Sequence, residues 1–169
     1  GNNANLAVTY PQQVNASYTG TNQTTLTLTI NGTVITPGTN YTFGANSYVL
    51  NWSLANSQNY SGINYYLNLT VNQAASNVSA WINNSRSNFT FYNGTNIWLN
   101  ATLQAGSGPV TLYLNGSIIN SGTAPLSNLT NLSNGFYNLT AVYSNSQNYS
   151  SSSETWWINI STAPDVTPP

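Results

Sequence analysis

The most regular feature of the chain is alternation. Leu26, Leu28 and Ile30 are separated by Thr27 and Thr29, and Val110, Leu112 and Leu114 by Thr111 and Tyr113. A period of two predicts a strand with one buried face, because successive side chains point to opposite sides of a sheet. Both runs end in Asn-Gly, at Asn31-Gly32 and Asn115-Gly116, and a second apolar stretch follows each. Asn-Gly in that setting predicts a type I′ hairpin, whose two turn residues both need positive φ. Tyr48, Leu50, Trp52 and Leu54 alternate in the same way, as do Tyr137, Leu139, Ala141 and Tyr143. A closing strand buries Leu67, Leu69 and Val71 in one place and Trp156, Ile158 and Ile160 in the other. No stretch carries a helical period of useful length.

These matched pairs are an internal repeat. Ser57-Gln58-Asn59-Tyr60-Ser61 recurs as Ser146-Gln147-Asn148-Tyr149-Ser150, at an offset of 89. Upstream the offset is 84 to 85, and the drift falls in Gly, Ser and Pro-rich stretches where loops tolerate insertion. The expected organisation is one domain over residues 1–74, a second over 75–162, and a Pro-rich tail or linker over 163–169. Short strands with turn signals every 8–12 residues predict an all-β chain of two tandem immunoglobulin-like β-sandwich domains. The opening of the second domain, Val78 to Thr90, aligns mostly to positions before Gly1. Domain 1 is therefore expected to lack its first strand, which leaves an exposed sheet edge. Three explanations stand side by side: the strand belongs to a preceding segment, the edge is tolerated, or a neighbouring subunit donates a strand. The tail from Ala163 to Pro169 is a poor donor, because Pro gives no ladder hydrogen bond. The segment Asn5, Leu6, Ala7, Val8, Thr9 and Tyr10 is the better donor.

Gly135 to Ser144, the following Ser146 to Ser152 and the closing apolar strand together resemble the Ig-like domain repeats of bacterial and archaeal surface proteins. In that family such a segment forms the last two strands and their loop. The resemblance implies the sandwich fold, no catalytic residues, and a place in S-layers, adhesin stalks or filament subunits. Asn145-Ser146 departs from the Gly-Asp often found there. The near-absence of charge resembles surface proteins of acid-living archaea.

Charge changes the picture most. Of 169 residues, Arg86, Glu154 and Asp165 are the only charged ones, 2% of the chain against about 25% in an ordinary domain. With no His, Lys or Cys there is no general base, Schiff-base amine or thiolate to activate the many hydroxyls, so an enzyme is excluded. One Glu and one Asp cannot assemble a metal site, and no cofactor is expected. One Arg cannot supply the basic surface that nucleic acid requires. No apolar run approaches the ~20 residues of a membrane helix. Hydrophobic residues still make up 40%, enough for a core. With no Met at its start, the chain reads as a processed form or a piece of a longer protein. Arg86 and Glu154 are each expected to be solvated.

Eighteen asparagines stand in Asn-X-Ser/Thr sequons, where the Ser and Thr content gives roughly eight by chance. They are Asn15, Asn22, Asn31, Asn40, Asn51, Asn59, Asn68, Asn77, Asn83, Asn88, Asn93, Asn100, Asn115, Asn128, Asn131, Asn138, Asn148 and Asn159. Two readings compete. Residues two apart share the solvent face of a strand, so polar patterning alone enriches the motif. Alternatively the chain carries covalent N-glycans outside the cell, which restore the hydration that missing charges do not provide. Trp156 and Trp157 are adjacent and face opposite ways on a strand. If Trp156 is core, Trp157 is outside, as Tyr66 is by the same count. Trp157 then anchors a subunit interface, stacks on a sugar, or is half covered by neighbouring loops or a glycan.

The expected role is a structural subunit of an extracellular, glycosylated cell-surface assembly: a self-associating homopolymer, foremost a pilus-like filament. An S-layer, an adhesin stalk and a carbohydrate-binding module are the alternatives. Acid has almost no carboxylate to protonate, so the melting temperature is expected to stay nearly flat from roughly pH 2 to 9; calorimetry across that range checks it.

Overall fold

In a computed structural model of the chain, residues 4–18, 26–56, 58 and 61–165 are described. The chain divides into two compact units, Gly1–Ala74 and Ala75–Pro169. Every regular element among the described residues is a strand.

The first unit holds β1 (Leu6–Thr9), β2 (Val14–Asn15), β3 (Leu26–Ile30), β4 (Thr33–Ile35), β5 (Asn40–Tyr41), β6 (Asn46–Leu54) and β7 (Ile63–Asn72). The second holds β8 (Asn77–Ile82), β9 (Phe89–Tyr92), β10 (Asn96–Ala105), β11 (Val110–Leu114), β12 (Ser117–Gly122), β13 (Leu126–Asn131), β14 (Gly135–Tyr143) and β15 (Ser152–Ser161). The five-stranded sheets have one order, β1-β7-β6-β3-β4 in the first unit and β9-β15-β14-β11-β12 in the second. In each, the outermost strand runs parallel to its neighbour while the rest are antiparallel. The sequence repeat is thus a repeat of topology, and each unit is an immunoglobulin-like sandwich.

The facing layers differ. In the second unit it is a three-stranded sheet, β13-β10-β8, and β8 buries Val78, Ala80 and Ile82 in the core. In the first unit it is the short pair β2–β5. No strand corresponding to β8 lies in the first unit among the described residues. β1 is the counterpart of β9, each the parallel edge of its five-stranded sheet. Among the described residues, fifteen apolar side chains are buried in the second core and seven in the first. That difference follows from the thinner second layer, because a sheet face stays wet unless another layer covers it.

Asn31-Gly32 and Asn115-Gly116 both form the expected hairpins. Asn31 and Gly32 have φ of 47° and 82°, and Asn115 and Gly116 have 47° and 78°. The asparagine does more than permit the turn. The Asn31 N–H donates to the Val49 carbonyl (2.9 Å), and its Oδ1 accepts the Val49 N–H (2.8 Å). Asn115 does the same to Asn138, at 3.0 and 2.8 Å. Asn83, with φ of 46°, repeats the arrangement on Trp98. Each asparagine thus clamps its turn onto the neighbouring strand.

Tyr143 fixes the loop before β11. Its ring is fully buried, and its hydroxyl accepts the Ser107 N–H (3.2 Å) and donates to the Ser107 carbonyl (3.1 Å). Gly106, at φ 143°, passes so close that a Cβ there would meet Leu103 Cδ1 and Tyr143 Cζ at 3.1 Å. Tyr143→Phe is expected to lower second-domain stability by about 1 kcal/mol, since the hydroxyl's partners can turn to water. Tyr143→Ala should cost about 3–5 kcal/mol through the cavity it leaves. Urea denaturation of both variants measures the two values.

Candidate functional site

Sixteen of the eighteen sequon asparagines can be placed; Asn22 and Asn59 lie outside the described residues. Asn15, Asn31, Asn40, Asn68, Asn77, Asn83, Asn88, Asn93, Asn115, Asn131 and Asn159 are exposed, and Asn51, Asn100, Asn128, Asn138 and Asn148 are half-buried. None of the sixteen is buried. Not all sequons are equivalent. Asn31, Asn83 and Asn115 have a structural duty at turns, and the Oδ1 atoms of Asn31, Asn83, Asn88 and Asn115 already accept backbone N–H groups. Ser79, the third residue of the Asn77 sequon, is fully buried. That sequon is presented whole only in the unfolded chain.

The segment Asn5 to Tyr10, expected to act as a donor strand, has a place in its own domain. β1 pairs in parallel with β7 in the register Leu6 to Leu69 and Thr9 to Asn72, and Val8 is buried in the first core. The Asn5 Oδ1 accepts the Asn68 N–H at 2.8 Å, and the Tyr10 N–H donates to the Asn72 carbonyl at 3.0 Å. A strand already paired and packed is not free to leave without a cost in its own core. It does lie at the edge of its sheet, with Leu6, Ala7 and Thr9 exposed.

Tyr66 and Trp157 are on the outer faces, as their parity requires, at 59% and 42% exposure. Tyr66 belongs to the first unit and Trp157 to the second. Trp157 has a companion that reading along the chain did not single out. Phe136, 64% exposed, stacks on Trp157 with ring centroids 5.3 Å apart and planes 21° from parallel. The signal for it was present: with Tyr137 turned inward, Phe136 must turn outward. What was missing was the register, Phe136 opposite Asn159 and Asn138 opposite Trp157. The two rings, Asn88, Phe89, Thr90 and Asn159 line one shallow concavity.

Arg86 and Glu154 are paired at the surface of the second unit rather than separately solvated. Arg86 Nη2 donates to Glu154 Oε1 at 2.5 Å, and its Nε lies 3.2 Å from both carboxylate oxygens. Glu154 Oε2 also accepts the Ala80 N–H at 2.8 Å, on the β8 edge not paired with β10. The guanidinium lies 5.7 Å from the Trp81 ring centroid. Arg86 sits between β8 and β9, where the chain changes sheets, so the pair pins that crossover to β15. Sequence separation hid the pair: 68 residues part the two in the chain, and only the fold brings them together. The backbone N–H and the partial burial of Glu154 add to the pair.

No family model and no curated protein matches the chain. Solved structures align with the chain at low identity. Fibronectin(III)-like modules of CbhA from Clostridium thermocellum are 16% identical, with 94% of this chain and 90% of that one covered and a TM-score of 0.41. The N-terminal four Ig domains of Dscam1 isoform 6.9 are 13% identical, covering 94% and 44% at a TM-score of 0.42. The titin domains z1z2 in complex with telethonin are 15% identical, covering 83% and 82% at 0.39. No helix among the described residues is long and apolar enough to cross a membrane.

Burial opposes the charged form of Glu154, but the Arg86 hydrogen bonds and the Ala80 N–H outweigh it and hold the carboxyl below its usual range. A depressed carboxyl contributes stability above its unfolded pKa and loses it as pH falls through the folded value. The second domain is therefore expected to lose stability only in strong acid. Glu154→Gln should remove that acid dependence and lower neutral-pH stability, the loss kept small by the exposed guanidinium. Thermal scans of both proteins from neutral to strongly acidic pH test the sign.

Proposed function

We propose that the chain is a structural subunit of an extracellular, N-glycosylated cell-surface assembly, a pilus-like filament joined by β-strand contacts between subunits. The observation that carries this reading is the inequality of the two sandwiches. Six residues of β8, with Val78, Ala80 and Ile82 inward, complete the second core, and the first unit has no such strand among its described residues. An edge strand of another copy, with β1 the exposed one, would pair along the open edge of β2 and shield the first core. Leu6 to Thr9 then serve as an edge strand that pairs with a neighbour rather than as a donor. Tyr66 and Trp157 offer aromatic contact area on the outer faces.

The surface supports the same setting. A chain with three charged residues has little colloidal repulsion and tends to associate. The exposed sequons are positioned for glycans to hydrate it. The Phe136–Trp157 stack favours a second reading, a carbohydrate-binding module, because a planar aromatic pair edged by asparagine amides suits a pyranose face.

Electron microscopy of surface material from cells that make the protein discriminates these readings. Filaments with a two-domain repeat are the expected result. A lattice sheet would move the assignment to an S-layer. Separate subunits that bind sugars on a glycan array would establish the binding module instead.

A further inference from the structure

On the outer face of the second sandwich, four residues form a two-by-two block. Phe136 and Asn138 alternate on β14, and Trp157 and Asn159 on β15. The register sets Phe136 opposite Asn159 and Asn138 opposite Trp157. The rings occupy one diagonal and stack; sequon asparagines occupy the other. On the flanking strand, Thr90 lies opposite Asn159, and Asn88 holds the Trp157 N–H at 2.9 Å. Asn159 is exposed, lines the concavity with both rings, and makes no side-chain hydrogen bond among the described residues.

The repeat provides an internal comparison. At the offset of 89, Phe136, Trp157 and Asn159 correspond to Ser47, Asn68 and Thr70, where the register again sets Ser47 opposite Thr70. The first unit therefore has neither the rings nor an asparagine at the place of Asn159. The sequon asparagine of that block, Asn68, stands at the place of Trp157 and has no ring beside it in the block.

We propose that Asn159 carries an N-glycan whose first sugar folds back onto the Phe136–Trp157 stack. This rests on the glycosylated-surface reading and names one site and its docking face. In the modification, Asn159 Nδ2 bonds to C1 of the sugar of an activated, lipid-linked glycosyl phosphate donor. The bond from C1 to the phosphate oxygen breaks, the phosphate leaves with the electron pair, and the amide proton passes to a base of the transferase. The apolar C–H face of the sugar then covers ring surface that would otherwise stay wet. Its hydroxyls lie toward the side chains of Asn88 and Thr90. The glycan turns an adhesive aromatic patch into a hydrated one.

The test uses the full chain expressed in a host that N-glycosylates Asn-X-Ser/Thr, as wild type, Ser161→Ala, F136S/W157S, and the three substitutions together. Ser161→Ala removes the sequon and leaves Asn159 in place. Glycopeptide mass spectrometry reads occupancy, and calorimetry reads the second-domain transition. The expected result is a glycan on Asn159 and a fall in Tm of about 4 °C or more for Ser161→Ala, as for a contact of ordinary strength in a small domain. The same substitution should leave Tm unchanged in the F136S/W157S background and in protein made without glycosylation. Equal falls in both ring backgrounds would overturn the docking. So would an unmodified Asn159 while other sequons are occupied, and either result leaves the glycosylated-surface reading intact. Occupancy nowhere would overturn both. Coupling that appears with Thr140→Ala, which removes the Asn138 sequon, and not with Ser161→Ala would also refute the assignment to Asn159.

Discussion

Side chains on a strand repeat every two residues, and a sequon spans the same two residues. That coincidence governs this chain. An asparagine that faces solvent brings the serine or threonine two places on to the same face, so each half-buried strand can carry a sequon at no cost to its core. Asn68 with Thr70, Asn138 with Thr140 and Asn159 with Ser161 all stand between inward residues such as Leu69, Leu139 and Ile160. With almost no charge available, the outer faces are built from amides and hydroxyls. Ser79 keeps to that outer face too, opposite in direction to Val78 and Ala80, but it is buried there, with its hydroxyl donating to Gln104 Oε1 at 3.2 Å.

The same residue type does three kinds of work. At Asn31, Asn83 and Asn115 it takes positive φ and clamps a turn to the adjacent strand, a task that Asn tolerates better than other non-glycine residues. At Asn5 and Asn88 it caps a backbone N–H of a neighbouring strand. At Asn159 it projects beside two stacked rings. Enrichment in asparagine therefore has structural causes and surface causes together, and the geometry of each site separates them.

Charge is scarce and concentrated. Arg86 and Glu154 meet where the chain crosses from one layer of the second sandwich to the other, and their carboxylate also holds the free edge of β8. The first domain has no comparable pin among its described residues, and its second layer is reduced to β2 and β5. Among the described residues, the sandwich with the three-stranded second layer has the larger core.

Alternation, Asn-Gly turns and the repeat determined the strands, the hairpins, the tandem sandwiches and the inward or outward parity of Leu28, Leu112, Tyr66 and Trp157. These are local properties, set by the pleat and by φ preferences at single residues. Tertiary structure alone decided what depends on contacts across many residues. The parallel pairing of Leu6–Thr9 with Leu69–Asn72 and the 68-residue reach of Arg86 to Glu154 belong there. So does the register that brings Phe136 and Trp157 into one stack. Parity says which face a side chain takes; only strand register says which neighbour it meets there, and a slip of two residues would preserve the first and change the second.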